Sequence, residues 1–103
     1  MRKANIFVNG ALAATLIEEE RGRKYLFRYT DGYQGDPVSL TLPVGSSEIV
    51  FDRFPPFFDG LLPEGMQLDA LVRKQKIDNG DMFAQLVKVG GDLVGAITVQ
   101  EVA

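Results

Sequence analysis

The dipeptide Asn9-Gly10 constrains the fold more than any other part of the sequence. Asparagine and glycine adopt the left-handed dihedral angles of a two-residue hairpin turn more easily than other residues. Residues 3–9 lead into this turn with period-two alternation, and their apolar side consists of Ala4, Ile6 and Val8. Because alternation beside such a turn is typical of paired antiparallel strands, we expect a partner strand from Ala11 to about Glu18.

Three further strands are predicted from similar patterns. A charged turn at 18–22 precedes a strand at 23–29, whose aromatic side consists of Tyr25, Phe27 and Tyr29. After a loop at 30–37, the segment 38–44 has the clearest alternation in the chain, with one side formed by Val38, Leu40, Leu42 and Val44. A last strand is expected within 92–102, with Leu93, Ile97 and Val99 on one face and Val94, Ala96 and Thr98 on the other.

The hydrophobic period changes to that of a helix after Pro63. Pro63 suits a first helical turn and Glu64 complements the positive end of the helix dipole. The apolar stripe of this helix is Leu68, Leu71 and Val72. A second helix is predicted from about Asp81 to Val89, with Asp78-Asn79 as cap candidates and Gly90-Gly91 in the left-handed position that ends a helix. Its expected core face is Met82, Phe83, Leu86 and Val87.

The predicted order of elements is β-β-β-β-α-α-β in a single domain spanning residues 1–103. Strands joined by hairpins, with helices gathered in one place, indicate an α+β domain. We expect a small antiparallel sheet or half-barrel of about five strands, with two helices packed on it. A chain of this length buries about two thirds of its unfolded surface, which is enough for a core without metals or disulfides.

The composition argues against an enzyme. The chain has no histidine and no cysteine, so the commonest general base and the thiolate nucleophile are both missing. Neither glycine-rich phosphate-binding motif occurs, and the carboxylates stand mainly in turns, where aspartate has ordinary structural roles. We therefore expect no catalytic, cofactor-binding or metal site.

The net charge of −3 has the wrong sign for a protein that neutralises phosphates. No apolar run approaches the roughly 20 residues that cross a bilayer, and the start lacks the pattern of a signal peptide, so we predict a cytoplasmic protein that binds no membrane. One basic and aromatic stretch stands out, and it contains Arg23, Lys24, Tyr25 and Arg28. That stretch leaves open a small single-stranded RNA-binding domain or a contact with an acidic protein.

The apolar segment FPPFFDGLLPEG, residues 54–65, leads into the first predicted helix. At helical spacing, one face lies away from the apolar stripe and consists of Met66, Asp69, Ala70 and Arg73. We therefore expect Met66 to be exposed. A flexible thioether at a helix start suits an irregular partner pocket, but single exposed methionines are also common without any role, and the spacing leaves both alternatives open.

Four segments together resemble the N-terminal subdomain of the HipA family of bacterial toxin kinases. They are ANIFVNG (4–10), VSLTLPV (38–44), FFDGLLPEG (57–65) and GGDLVGAITV (90–99). FFDGLLPEG is the most specific of the four. In that family the subdomain precedes a kinase body with the ATP site and the catalytic residues, and no position of this sequence corresponds to those residues.

A free-standing chain of this kind is similar to the HipS-type antitoxins of three-component toxin–antitoxin systems. The resemblance implies that the chain binds and inhibits a HipT-like serine/threonine kinase toxin, in a ternary complex with a HipB-like DNA-binding protein. A non-inhibitory subunit that bridges the kinase and the DNA-binding protein is the alternative. The expected kinase-contacting residues are Phe57, Asp59, Leu62, Glu64, Met66, Asp69 and Arg73.

Overall fold

The computed structural model describes residues 1–45, 48–93 and 95–102. Within them, one antiparallel sheet is combined with three helices. In chain order the elements are β1 (Arg2–Val8), β2 (Ala11–Glu20), β3 (Lys24–Tyr29), β4 (Ile49–Phe51), α1 (Pro56–Asp59), α2 (Gly65–Gln75), α3 (Met82–Val89) and β5 (Ile97–Glu101). The α+β class is confirmed, and the five strands form an open sheet in the order β4-β3-β2-β1-β5 rather than a half-barrel.

The predicted first hairpin is confirmed. Asn9 and Gly10 both have positive φ, 51° and 83°, and Val8 pairs with Ala11 across the turn. The second strand extends beyond its predicted end, so Glu18 is a strand residue only 3% exposed and not part of a charged turn. Its carboxylate tolerates burial because it accepts hydrogen bonds, which are described below.

The core lies on one face of the sheet, under α1 and α3. The sheet contributes mainly Ala4, Ile6, Leu16, Tyr25, Phe27, Tyr29, Ile97 and Val99, and the helices contribute Phe58, Phe83 and Leu86. The alternation of β1 and β3, and of Ile97 and Val99 in β5, therefore predicted the buried face correctly. The last strand begins at Ile97 rather than near residue 92, and Val94 of the predicted strand lies outside the described residues. Within the described ranges, no helix is long and apolar enough to span a membrane.

The segment 38–44 does not form the predicted strand. The Tyr29 hydroxyl accepts a hydrogen bond from the Val38 amide (2.9 Å) and donates one to the Leu42 carbonyl. Between Val38 and Leu42 the chain forms a turn, which is closed by a hydrogen bond from the Leu42 amide to the Ser39 carbonyl (3.0 Å). Leu40 is consequently 97% exposed. The fourth strand is instead β4, which the sequence did not indicate and which pairs with β3 over three residues.

The helix boundaries also differ from the predictions. Pro63 precedes α2 rather than occupying its first turn, and α1, a single turn, was not predicted. The cap of α3 is Asp81, whose carboxylate accepts from the Ala84 amide (3.1 Å). Asp78 and Asn79 precede this cap, and their backbone carbonyls accept hydrogen bonds from the buried side chain of Gln85.

Gly90 ends α3 for a different reason from the one expected. Its φ of −57° is right-handed, so no left-handed position demands glycine there. Glycine is needed because a Cβ at this position would overlap the carbonyl of Val99. The two residues are held close together by a hydrogen bond from the Val99 amide to the Gly90 carbonyl (2.9 Å). The end of α3 thus lies directly against β5.

Replacing Gly90 with alanine should lower the free energy of unfolding by about 1–3 kcal/mol, the usual cost of forcing extra atoms into a packed site. Gly91→Ala is the matched control, because a Cβ there meets nothing within 4 Å. Its effect should stay within about 0.5 kcal/mol. Urea unfolding of both variants measures the difference, and equal effects would contradict the packing argument.

Candidate partner-binding surface

The segment between β4 and α2 is anchored in the core by aromatic side chains. Phe58 is fully buried and lies against Phe27, with ring centroids 6.0 Å apart. Phe54 packs edge-on against Tyr25, with centroids 5.5 Å apart, and Phe57 packs edge-on against Phe58 at 5.2 Å. Edge-to-face pairs of this kind add stability beyond area burial, so this segment is fixed to the sheet.

Backbone hydrogen bonds make the following turn rigid. The amides of Asp59 and Gly60 donate to the carbonyls of Pro55 and Pro56, each at 3.0 Å. Leu61 and Leu62 continue the turn and pack, half-buried, against the core. The chain therefore reaches the start of α2 along a defined path.

A left-handed glycine sets the direction of α2. Glu64 is extended and makes no side-chain cap, and Gly65 follows with a φ of +57°. A residue with a Cβ pays roughly 1–2 kcal/mol for this conformation. The next residue, Met66, is 88% exposed, as the helical spacing predicted. The backbone at Gly65 thus places an apolar, flexible side chain at the exposed start of a helix.

Neither face of α2 belongs to the core. Among the described residues, α2 contributes none that is buried. The face formed by Met66, Asp69, Ala70 and Arg73 is exposed. The apolar stripe of Leu68, Leu71 and Val72 is half-buried and lies outside the core cluster. α2 therefore contributes no residue to the core cluster, although its apolar stripe is partly shielded from solvent.

Two grooves border α1. One has a volume of about 380 Å³ and is lined by Arg53, Phe54, Pro56, Asp59 and Met82. The other, about 200 Å³ and mainly apolar, is lined by Thr41, Leu42, Phe51, Pro55, Pro56 and Phe57. Arg53 directly precedes the apolar segment 54–65, whereas Thr41 and Met82 come from distant parts of the chain. Met82 was expected on the core face of the second helix, but it is 37% exposed and borders the first groove.

The predicted contact residues fall into two groups. Phe57 and Leu62 are half-buried and pack against the core, so they mainly support the segment. The exposed group is Asp59, Glu64, Met66, Asp69 and Arg73. The exposed group lies on α1, the N-terminal cap of α2 and its exposed face. Contact of either group with a partner stays a prediction.

The basic stretch of β3 does not offer an aromatic platform for RNA. The Tyr25 ring is 2% exposed, and its hydroxyl donates to the Glu18 carboxylate (2.9 Å). Base stacking needs an accessible ring face, which Tyr25 lacks. Lys24 is paired with Glu19 at 3.4 Å. The alternative in which Arg23, Lys24, Tyr25 and Arg28 bind RNA is therefore wrong for Tyr25.

An ion-pair network joins β1 and β2 to the start of α3. Arg2 donates to Glu18 (2.7 Å) and, through both Nη atoms, to Asp81 (2.9 and 3.0 Å), while Arg21 also donates to Asp81 (2.9 Å). Burial alone would raise the pKa of Asp81, but the hydrogen bonds from Arg2 and the Ala84 amide outweigh it and lower the pKa. The network therefore stabilises the charged form of the Asp81 carboxylate, of which only 10% is exposed.

The depressed pKa of Asp81 predicts an acid-sensitive contribution to stability. The contribution is fully present above the ordinary carboxyl pKa of 3.8 and is lost as the pH falls through the lower pKa of the folded state. Asp81→Asn keeps a capping side chain but removes the charge. We expect it to cost about 1–3 kcal/mol near neutral pH and to lose less stability than the parent on acidification.

Urea unfolding at about pH 7 and about pH 3 measures this difference. Asp92→Asn, at an exposed carboxylate, is the control and should follow the parent at both values. The same loss on acidification in Asp81→Asn and in the parent would contradict the assignment.

Among the described residues, no group of three or more potential ligands is arranged to hold a metal ion.

Comparison with known proteins gives one consistent result. Residues 4–100 match the family model of the HipA N-terminal domain. A solved structure described as the N-terminal domain of HipA toxin superimposes with a TM-score of 0.78 at 32% identity, over 100% of this chain and 94% of that chain. The likeness thus covers all of the elements described above.

Two curated relatives differ in length. An uncharacterized protein of Haemophilus influenzae is 36% identical over 101 residues, which are 98% of this chain and 93% of that protein. A putative kinase of Sinorhizobium fredii is 28% identical over 101 residues, but the match spans only 24% of the kinase. The chain is therefore similar to a small protein over nearly its whole length and to about a quarter of a larger one.

Proposed function

The chain belongs to the HipA N-terminal domain family, and from this membership we propose that it is a non-enzymatic antitoxin that binds and inhibits a HipT-like serine/threonine toxin kinase. The family links the chain to toxin–antitoxin systems in general. The relation to a segment of a putative kinase supports the choice of partner, since a domain that is fused to a kinase in one protein can dock on a kinase in another.

The exposure of Met66 carries the proposal. A large apolar side chain that is 88% exposed at the start of a helix, after a segment anchored in the core, is costly to leave in water. Burying a methionine in an apolar pocket is favourable by about 1.5–3 kcal/mol. Acidic Asp69 and basic Arg73 continue the same exposed face and would form the polar rim that surrounds such an anchor.

Inhibition would follow from steric blockage. Protein kinases transfer phosphate only when their lobes close around ordered nucleotide and metal. The start of α2, with Met66 at its tip, would act as a wedge in the cleft and keep the lobes apart. The anchoring of Phe58 in the core fixes the segment that leads into α2, which would reduce the entropy lost when the wedge binds.

Autophosphorylation of a HipT-like kinase from the same genome tests the proposal. Adding the purified chain should lower the rate of autophosphorylation in proportion to the fraction of kinase that is bound, and should abolish it at saturation. A kinase that binds the chain and remains fully active at saturation would refute inhibition. A kinase that does not bind it at all would refute the choice of partner.

One observation favours the alternative of a non-inhibitory subunit. The half-buried stripe of Leu68, Leu71 and Val72 could complete the kinase structurally without blocking its cleft, while a HipB-like DNA-binding protein binds elsewhere. Coexpression separates the two functions. Rescue from the toxin by this chain alone supports the antitoxin, whereas rescue that requires the DNA-binding protein as well supports the bridging subunit.

A further inference from the structure

α2 draws less stability from tertiary packing than α3 does. In the described part of the chain, none of its residues belongs to the core cluster or to the partly buried residues packed against that cluster. α3, in contrast, buries Phe83, Gln85 and Leu86 and ends against β5. Because the stability of a short helix comes mainly from the packing of its apolar face, we expect α2 to be the less stable of the two helices.

The first turn of α2 is also weakly stabilised. Glu64, at the N-cap, makes no side-chain hydrogen bond, and the first helical residue is Gly65, a residue type that disfavours a helix more than any other except proline. α3 starts differently, because the Asp81 carboxylate accepts a hydrogen bond from the Ala84 amide (3.1 Å). Such a cap satisfies one of the free amides of a helix start, and α2 begins without it.

Residues in the left-handed conformation flank α2 on both sides. Gly65 has a φ of +57°, and Lys76, directly after the helix, has a φ of 57° and a ψ of 42°. Because lysine carries a Cβ, this conformation is strained at Lys76. The chain is held beyond both positions, since Leu62 packs against the core on one side and Ile77 is only 9% exposed on the other. Gly65 and Lys76 thus lie at the ends of an element, where the hinges of moving segments are usually found.

We propose that α2 is an arm that opens by local unfolding between Gly65 and Lys76 while the sheet and α3 stay folded. A helix of 11 residues is marginal in water without a packed face. Segments with few buried contacts open at free energies far below that of global unfolding. α3 should open only together with the sheet, because its buried residues share one core with the strands.

Opening of the arm would regulate the proposed kinase contact. Met66 lies at a helix start only while α2 is closed, so the open arm is not competent to bind. The apparent affinity is then the intrinsic affinity multiplied by the fraction of the chain in which the arm is closed. This step rests on the proposed function, whereas the opening itself is a property of the free chain.

Amide hydrogen exchange of the free chain, followed by NMR at several low urea concentrations, measures the opening. After correction for intrinsic rates, we expect the amides of residues 69–75 in α2 to exchange at least about 100-fold faster than those of residues 85–89 in α3. Urea should change the α2 rates little, because local opening exposes little surface. It should raise the α3 rates steeply, because global unfolding exposes much more.

Two substitutions separate local from global opening. Gly90→Ala, which destabilises the contact between α3 and β5, should speed exchange in α3 about fivefold or more and leave α2 unchanged. Lys76→Gly relieves the left-handed strain and should slow exchange in α2 about threefold, since glycine also gains freedom in the open arm. Asn9→Gly is the matched control, because Asn9 has a φ of 51° but lies outside α2, and it should leave the α2 rates unchanged.

Limited trypsin digestion gives a second readout. Arg73, Lys74 and Lys76, in or beside α2, and Lys88 in α3 are all exposed, so exposure alone does not distinguish them. Proteolysis of a folded protein follows the population of the locally open form. We therefore expect cleavage after residues 73–76 to be at least about tenfold faster than cleavage after Lys88.

Four results would overturn the arm. They are equal exchange rates in α2 and α3, a steep dependence of the α2 rates on urea, faster α2 exchange in Gly90→Ala, or cleavage after Lys88 as fast as after residues 73–76. An unchanged α2 rate in Lys76→Gly would refute the hinge at that residue.

The role of the arm in binding has its own measurement. A saturating HipT-like kinase should slow exchange in α2 at least about tenfold, because only the closed arm binds. A kinase that binds the chain and leaves the α2 rates unchanged would refute this role. A kinase that does not bind would refute the proposed function instead, and the exchange of the free chain would still decide whether the arm opens.

Discussion

Replacing Met66 with aspartate is expected to weaken binding of the chain to the proposed kinase partner by about 100-fold or more while leaving the stability of the chain unchanged. Loss of an apolar anchor at an interface centre costs about 2 kcal/mol or more, and burying a carboxylate in its place adds a desolvation penalty. In the free chain the side chain is 88% exposed, so the free energy of unfolding should change by less than about 0.5 kcal/mol.

Calorimetric titration of the kinase and urea unfolding of the chain measure the two quantities. Met66→Leu keeps an apolar side chain and should bind within about fivefold of the parent. Val102→Asp places the same charge at another exposed apolar position and should bind normally. Normal binding by Met66→Asp would refute the wedge, even if the kinase proved to be the partner.

Replacing Phe58 with alanine should lower the free energy of unfolding by about 3–5 kcal/mol. The ring is fully buried and contacts both Phe27 and Phe57, so its removal leaves a cavity between α1 and the sheet. Domains of this size have a total stability of about 5–15 kcal/mol. The loss is therefore a large fraction of the total free energy of unfolding. Without the Phe58 ring, α1 would no longer keep the segment that leads into α2 in place.

Phe57→Ala is the control for this prediction, because the neighbouring ring is only half-buried. It should cost about half as much or less, since fewer contacts are lost. Denaturant unfolding with both variants gives the comparison. An equal loss for Phe57 and Phe58 would show that the ring of Phe58 is not the anchor of the segment.

Local patterns predicted the elements whose neighbours in sequence are also their neighbours in space. The hairpin at Asn9-Gly10 and the aromatic face of β3 followed from alternation and turn chemistry. The exposure of Met66 followed from helical spacing. Of the candidate surface, the helix and its exposed face were thus predictable. The grooves beside α1 were not, because Met82 and Thr41, which help to line them, are distant from α1 in the chain.

The errors arose where a distant contact outweighed the local pattern. The segment 38–44 has ideal alternation, but two hydrogen bonds to the Tyr29 hydroxyl hold it as a turn. The three residues of β4 are too few to form a readable period, and they become a strand only by pairing with β3. Gly90 looked like a left-handed helix end, but the closeness of Val99 is what requires glycine.

By itself, the sequence determined the antiparallel α+β class, the buried face of the long strands and the exposed start of α2, because side-chain periodicity and turn geometry are local properties. Only the tertiary structure decided which strand completes the sheet, that Glu18 is buried, and that α2 contributes no residue to the core. These features depend on which groups from distant parts of the chain form hydrogen bonds with buried polar atoms and cover apolar surfaces. No local sequence pattern contains that information.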